Sequence, residues 1–137
     1  MENFINGTEL LFSSPTSIIL FVAALLGGGL FGAIPGISLL TLGAIILPFS
    51  AYMSSTDAIM FYSVIYCSGV FGGAITAILF NIPGSPENAP TAFDGYKMTL
   101  NGQAGKAIGA AILCSSLGGM VSAILMMTAT PTIAKWA

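Results

Sequence analysis

Residues 81–91 have the sequence Asn81-Ile82-Pro83-Gly84-Ser85-Pro86-Glu87-Asn88-Ala89-Pro90-Thr91, a polar stretch between two long apolar runs. A proline lacks the backbone N–H that a helix interior needs, and it disfavours helical geometry in the residue before it. The helix that begins near Ala58 is therefore predicted to end near Asn81. Irregular polar backbone between membrane-length helices is tolerated only in water, inside protein or at a cavity. The function of the protein depends on which of these three environments surrounds the stretch.

The composition predicts an integral membrane protein. The chain has 137 residues, of which 55% are hydrophobic and only 6% charged, too few charges for the surface of a soluble domain. Three lysines and five carboxylates give a net charge of -2, so no basic field for nucleic acid is present. The sequence contains no histidine, which excludes a Ser-His-Asp triad and a zinc site with histidine ligands. We predict that the chain is not an enzyme and has no catalytic or metal-binding residues.

The two cysteines, Cys67 and Cys114, lie in separate apolar runs. Isolated cysteines in such runs usually behave as small buried hydrophobic residues. We therefore predict buried packing for both.

The first half of the chain is too long for one membrane crossing, because no charge occurs between Leu10 and Thr56 and a crossing needs about 20 residues. Pro35-Gly36 divides it. A first span is predicted over Thr16 to Ala33, capped by Ser14 before Pro15. The next piece, Ile37 to Leu47 before Pro48, covers about half of a hydrocarbon core about 30 Å thick. It is predicted to be a half-helix or re-entrant segment, the alternative being a tight turn between two poorly bounded helices.

Two further spans are predicted, over Ala58 to Phe80 and Ala107 to Thr130. Gly69, Gly72 and Gly73 leave part of the second span without side chains, for a packed helix or for a ligand. Turns are predicted at 93–96 (Phe-Asp-Gly-Tyr) and 101–102 (Asn-Gly). The predicted fold is all-α and integral to the membrane, with about three transmembrane helices and a re-entrant half-helix broken at Pro-Gly motifs. We predict that residues 1–15 form a polar amino-terminal segment and that residues 16–137 form the transmembrane domain.

An ordered set of motifs resembles one transporter family. It comprises Gly-Ala-Ile-Pro-Gly-Ile at 32–37, Leu-Pro at 47–48, Gly-Gly-Ala-Ile-Thr-Ala-Ile-Leu-Phe-Asn-Ile-Pro-Gly at 72–84, Thr-Ala-Phe-Asp-Gly-Tyr-Lys-Met at 91–98 and Gly-Gln-Ala-Gly-Lys-Ala at 102–107. This set resembles the large permease subunit of the tripartite tricarboxylate transporters, the TctA family. The family usually has tyrosine where Phe71 stands, and its members are several times longer, so the chain is similar to the amino-terminal part of one.

The resemblance implies a secondary transporter that takes up a carboxylate such as citrate across the bacterial cytoplasmic (inner) membrane. An ion gradient would drive it, with Na+ or H+ as the coupling ion and no other cofactor. The implied partners are a small membrane subunit, an extracytoplasmic solute-binding protein and the lipid bilayer. Self-association, or pairing with a missing carboxyl-terminal half, is also expected.

The resemblance places the site at the two helix breaks, because broken helices direct backbone donors at anionic groups. The substrate-binding residues expected on this basis are Pro35, Gly36, Asn81, Pro83, Gly84, Ser85, Asn88 and Thr91. Asp94 is expected to serve ion coupling; for Glu87 and Asp94 alike, a purely structural role in the loop is the alternative. Gly36 and Gly84 each follow a proline and are expected to adopt positive φ.

Two competing hypotheses remain. A small accessory or structural membrane protein would use its glycines only for helix association, and the stretch Pro83 to Gly105 would be a solvated loop. A truncated, inactive permease fragment is the other. The transporter hypothesis predicts instead that this stretch is packed at membrane depth.

Overall fold

The computed structural model describes residues 5–9, 14–37 and 39–133 of the chain. The helices are α1 (5–9), α2 (Pro15–Gly32), α3 (Leu39–Ser50), α4 (Ser55–Phe80), α5 (Ala89–Leu100) and α6 (Ala104–Ile133), with a 3-10 turn at Pro86–Asn88 before α5. All regular structure in these ranges is helical. Of these helices, α2, α4 and α6 are long and apolar enough to cross a membrane, and α3 is a shorter apolar helix. The predicted all-α membrane fold is confirmed.

Local capping sets the helix ends much as the sequence predicts. The Thr16 backbone N–H donates to the Ser14 hydroxyl ahead of Pro15, and the Asp57 N–H donates to Ser54 at the start of α4. At the other end of α4, Asn81 adopts the left-handed conformation with φ 58°, in which asparagine is tolerated better than most residues. The predicted end of this helix near Asn81 is confirmed.

Helices α2 and α4 run parallel and pack through glycines. Near their amino-terminal ends the Ser17 hydroxyl donates to Asp57 Oδ1 at 2.7 Å, and further along the Ser68 hydroxyl donates to the Ala24 carbonyl oxygen at 3.3 Å. At the far end Gly32 lies on the backbone of Gly69 with no room for a side chain. Helix packing is therefore the role of the α4 glycines that face α2, as one of the two interpretations predicts.

Helix α3 returns the chain along the same pair. A Cβ on Gly43 would lie 3.9 Å from Tyr62 Cε1, and Leu42 joins a buried cluster of Ala24, Phe61 and Ile65. Because α2 and α4 are parallel, α3 must run antiparallel to both. Its predicted end before Pro48 is wrong: Pro48 lies inside the helix, which ends at Ser50. Pro48 removes the one hydrogen bond that an N–H at this position would make to the Ala44 carbonyl oxygen in the last turn, and the helix ends two residues later.

After α4 the chain doubles back alongside it. The Gly84 backbone N–H donates to the Gly73 carbonyl oxygen at 3.4 Å, and the Asn88 amide donates to the Val70 carbonyl oxygen at 2.8 Å. At about 1.5 Å per residue, Val70 lies about 15 Å back from Phe80. The stretch 81–88, called here the return segment, therefore descends along α4.

Helix α5 then runs beside α4 in the same direction as α4. The Thr99 hydroxyl donates to the Ile78 carbonyl oxygen at 2.8 Å, and a Cβ on Gly95 would lie 2.8 Å from Ile78 Cγ1. The predicted turn at 93–96 is wrong because these residues lie inside α5. Gly95 instead allows α5 to pack closely on α4. From the sequence alone, a glycine used for helix packing resembles one that marks a turn.

Helix α6 begins after the 101–102 turn, where Gly102 has φ 73°, as predicted. The first turns of α6 pack against the rest of the protein, and Ala107 is only 5% exposed. The most apolar stretch of α6, by contrast, contains no buried residue. The prediction of buried cysteines is wrong: Cys67 and Cys114 are both exposed. Both cysteines lie on apolar helices whose spans are less than half buried within the structure, so an apolar run did not imply a covered side chain.

Candidate functional site

The two helix breaks lie side by side. A Cβ on Gly84 would lie 2.7 Å from the Gly73 Cα and would collide with the Gly32 carbonyl oxygen. Gly36 has φ 91°, as predicted, whereas Gly84 has no positive φ, and the expectation for it is wrong. Position 84 requires glycine because the backbones at residues 32, 73 and 84 meet there and leave no room for a Cβ.

Asn88 fastens the return segment to α4. Its side chain is 4% exposed, and its Nδ2 donates to the Val70 carbonyl oxygen at 2.8 Å and to Ser85 Oγ at 3.0 Å. An amide nitrogen has two hydrogens to donate. Both Asn88 donors are therefore used inside the protein, and the side chain has only its carbonyl oxygen left for a ligand.

Ser85 is likewise occupied within the segment. It is 7% exposed, and its hydroxyl oxygen accepts a hydrogen bond from Asn88 Nδ2 at 3.0 Å. Hydrogen bonding by the Ser85 side chain, and then by the Glu87 backbone, lowers the pKa of the Glu87 carboxyl. Glu87 itself is exposed.

A cavity of about 760 Å³ lies between α4, α5 and α6 and is called here the α6 cavity. Its polar lining residues are Tyr66, Asn88, Thr91, Asp94 and Ser115, with the thiols of Cys67 and Cys114. Small α6 residues such as Ala111 and Gly118 leave the space open. Asp94 is the one charged residue among the described lining residues, so an anion in this cavity would need an accompanying cation or positive charge from outside the described residues.

A second cavity, of about 590 Å³, lies between α3, α4 and the return segment and is called here the α3 cavity. Its walls are largely apolar, and its polar residues are Tyr62, Tyr66, Ser85 and Glu87. The Tyr62 hydroxyl oxygen is buried and has no hydrogen-bond partner among the described residues. The return segment thus separates two cavities, each with one carboxylate.

The structure divides the predicted site residues into four groups. Asn88, Thr91 and Asp94 line the α6 cavity, and Ser85 lines the α3 cavity. Gly84 joins the two breaks. The remaining four line neither cavity and lie where α2 and α4 end: Pro35, Gly36, Asn81 and Pro83. The binding and coupling roles of all these residues stay predictions.

Sequence reasoning missed Tyr62 and Ser115 as cavity residues. Both are polar side chains within apolar spans, which is a signal that could have singled them out. Their orientation toward a cavity depends on which helices pack beside them. Among the described residues, no group of three metal-ligating side chains converges.

These features define a class: a helical integral membrane protein in which a polar, unwound segment is packed against the middle of a spanning helix. Comparison with known proteins agrees with that class. The family model described as the tripartite tricarboxylate transporter TctA family matches residues 18–137. The chain therefore belongs to the TctA family, a family of transporters.

A curated relative extends the comparison. The chain is similar to a protein of Agrobacterium vitis described as an uncharacterized 52.8 kDa protein in the TAR-I ttuC' 3' region, with 37% identity over 122 residues. The match covers 89% of this chain and 24% of that protein, so the chain spans about a quarter of the relative's length. No solved structure matches the chain.

Proposed function

We propose that this chain is a membrane permease component of an ion-gradient-driven tripartite system that takes up a carboxylate, such as citrate, across the bacterial cytoplasmic membrane. The return segment carries the proposal. It is a polar, proline-broken stretch that lies beside Gly73 and Val70, in the middle of a helix long and apolar enough to span a membrane. Many secondary transporters place unwound backbone near the middle of the membrane, where it forms part of the binding site.

The same packing favours the permease over an accessory membrane protein. That alternative expects a solvated loop from Pro83 to Gly105, but this stretch contains α5, which buries Ala92 and Gly95 against α4. Glycines that serve only helix association would not require buried Ser85 and Asn88. A segment with internally satisfied polar groups can remain at membrane depth.

The substrate is proposed to reach the α6 cavity, where Thr91 has a hydroxyl to offer and Asp94 serves ion coupling. Both Asn88 donors are occupied and Ser85 lines the other cavity, which leaves anion binding in the α6 cavity to Thr91 and to backbone N–H groups. The chain contains no arginine, the side chain best suited to bind a carboxylate bidentately. Positive charge for a tricarboxylate is therefore proposed to come from partner segments or subunits.

Helix α6 supports the need for partners. No residue in the most apolar stretch of α6 is buried, and large side chains such as Leu113, Val121 and Leu125 are more than half exposed. We propose that further permease helices, supplied by a carboxyl-terminal half or by self-association, cover part of this surface. The small membrane subunit and the solute-binding protein complete the tripartite system.

Alkylation of the two native cysteines tests the substrate site, since Cys67 and Cys114 both line the α6 cavity. In lipid nanodiscs, saturating citrate should slow their reaction with a small maleimide, and Thr91→Val should reduce that protection. As a control, a cysteine placed at Leu125 on the uncovered part of α6 should react at the same rate with and without citrate. Equal rates at Cys67 and Cys114 with and without citrate would contradict a carboxylate site in this cavity.

A further inference from the structure

The two lysines of the described chain lie together where α5 meets α6. Lys97 is in the last turn of α5, Lys106 is in the first turn of α6, and both side chains are exposed. The Gln103 backbone joins the two helix ends. Its N–H donates to the Met98 carbonyl oxygen at 2.8 Å, and its carbonyl oxygen accepts from the Lys106 N–H at 3.0 Å. This turn and its two lysines, residues 97–106, are called here the basic corner.

Neither lysine is neutralised inside the protein. Among the described residues, no side-chain hydrogen bond or ion pair involves Lys97 or Lys106, although Asp94 lies one turn from Lys97 on the same helix. Two positive charges at one corner attract an anion from outside the protein. The third lysine of the chain, Lys135, falls outside the described residues.

The length of α4 places the basic corner at a membrane surface. The Thr99 hydroxyl donates to the Ile78 carbonyl oxygen, so the end of α5 is level with Ile78. At about 1.5 Å per residue, Ile78 lies about 32 Å along α4 from Asp57, and the hydrocarbon core of a bilayer is about 30 Å thick. Asp57, which accepts from Ser17 and Ser54, and the basic corner therefore occupy opposite interfaces. No described lysine lies at the Asp57 end.

The lysine of α5 stands on a lipid-facing surface. Lys97 is two residues, or about half a turn, from both Gly95 and Thr99, which pack on α4. Its side chain therefore points away from α4, on the same face as the exposed Phe93 and Leu100. At a membrane interface such a lysine keeps its methylenes in hydrocarbon and extends its ammonium group to the level of the lipid phosphates.

The lysine of α6 has a similar setting, because Leu113, two turns along on the same face as Lys106, is also exposed. Lysines at membrane-helix ends are enriched on the cytoplasmic side, where anionic lipids attract them. We infer that the basic corner binds the phosphate group of an anionic phospholipid at the cytoplasmic surface, with Lys97 and Lys106 as its ligands. The exposed apolar face of α5 lies against the acyl chains. This inference needs only the membrane fold and does not depend on carboxylate transport.

Quenching of tryptophan fluorescence by brominated lipids measures lipid preference at the corner. The full chain has one tryptophan, so in a Trp136→Phe background Leu100→Trp reports on the basic corner and Tyr52→Trp, in the turn before α4, on the opposite end. Each variant is reconstituted in phosphatidylcholine vesicles that contain brominated phosphatidylglycerol or brominated phosphatidylcholine. We expect a severalfold preference for phosphatidylglycerol at Leu100→Trp and a ratio near one at Tyr52→Trp.

Matched lysine variants identify the ligands. Lys97→Gln and Lys106→Gln should each lower the preference by up to about fivefold and together remove it, whereas Lys97→Arg with Lys106→Arg should keep it. Equal quenching by the two lipids, or a preference that survives both glutamine changes, would overturn the site. Should the glutamine variants lose their helical circular dichroism, about 1 M salt, which screens charges beyond about 3 Å, should abolish the preference with both lysines present. A preference unchanged by salt contradicts the inference.

Inorganic phosphate separates a lipid site from a site for free anions. At constant ionic strength it should leave the quenching by brominated phosphatidylglycerol unchanged, because it has no acyl chains to contact α5. Competition by inorganic phosphate would mean that the basic corner binds a soluble anion, and the lipid assignment would be wrong.

The side of the membrane has its own measurement. In a background of Cys67→Ser and Cys114→Ser, Tyr52→Cys and Asn101→Cys are each treated with a membrane-impermeant maleimide on spheroplasts of a bacterial host. Tyr52→Cys should react with intact spheroplasts, whereas Asn101→Cys, within the basic corner, should react only after the membrane is permeabilised. The reverse pattern would place the basic corner outside the cell and contradict a cytoplasmic lipid contact.

Discussion

The side-chain amide of Asn88 donates to the backbone carbonyl oxygen of Val70 at 2.8 Å. This bond holds the carboxyl-terminal end of the return segment against the middle of α4. Asn88 also donates to Ser85, so one side chain connects two parts of the segment to the spanning helix. In hydrocarbon an unpaired polar group costs several kcal/mol. The hydrogen bonds of Asn88 are therefore important for keeping the return segment packed against the middle of α4.

Asn88→Asp preserves the shape of this side chain but replaces its donors with acceptors. The carboxylate faces the Val70 carbonyl oxygen and Ser85 Oγ, so we expect the free energy of unfolding to fall by about 1 to 3 kcal/mol. Reversible unfolding in detergent micelles would measure the change, with Gln103→Ala at an exposed position as the control. Equal stability of Asn88→Asp and the unmodified chain would mean that the segment is anchored elsewhere.

Gly84→Ala tests the close approach of three backbones. The added Cβ would lie 2.7 Å from the Gly73 Cα and would also meet the Gly32 carbonyl oxygen. Overpacking of this kind costs about 1 to 3 kcal/mol, to be read from thermal unfolding. The matched change Gly119→Ala has nothing within 4 Å of its Cβ and should be neutral or slightly stabilising. A stable Gly84→Ala variant would argue against the contact between the two breaks.

Gly36→Val separates backbone strain from crowding. Gly36 has φ 91°, and a Cβ added there would have no neighbouring atom within 4 Å, so only the backbone conformation opposes a larger residue. A β-branched side chain there should cost about 1 to 3 kcal/mol, whereas Gly105→Val, at a position with equal space and no positive φ, should cost less. Thermal unfolding of both variants measures the difference. Similar losses in the two would show that Gly36 does not need its left-handed backbone.

Ser17→Ala tests the joint between the amino-terminal ends of α2 and α4. The buried Ser17 hydroxyl donates to Asp57 Oδ1 at 2.7 Å, and hydrogen bonds to charged groups contribute about 1.5 to 3 kcal/mol. We expect a loss at the lower end of that range, because the partly exposed Asp57 keeps a second bond from Ser54. Ser63→Ala, which removes an exposed bond within α4, should change the unfolding midpoint little.

The membrane class, the three spans and their approximate ends could all be predicted from the order of the amino acids alone. These features depend on local physics: apolar run length, the missing N–H of proline, and caps such as Ser14, Ser54 and Asn81 that bond within a few residues. The family was suggested separately, by the resemblance of the motifs around the two breaks to those of known permeases.

The direction of the chain after Asn81, by contrast, is set by tertiary packing. A proline ends a helix but does not orient the residues beyond it; their path comes from contacts between residues distant in sequence, such as Gly84 with Gly73 and Asn88 with Val70. They also place Ser85 and Asn88 on different cavities, and the helix that contains 93–96 packs on Ile78 through Gly95 and Thr99. Packing against α4 determines which atoms of those side chains remain free, and no local pattern in the sequence contains that information.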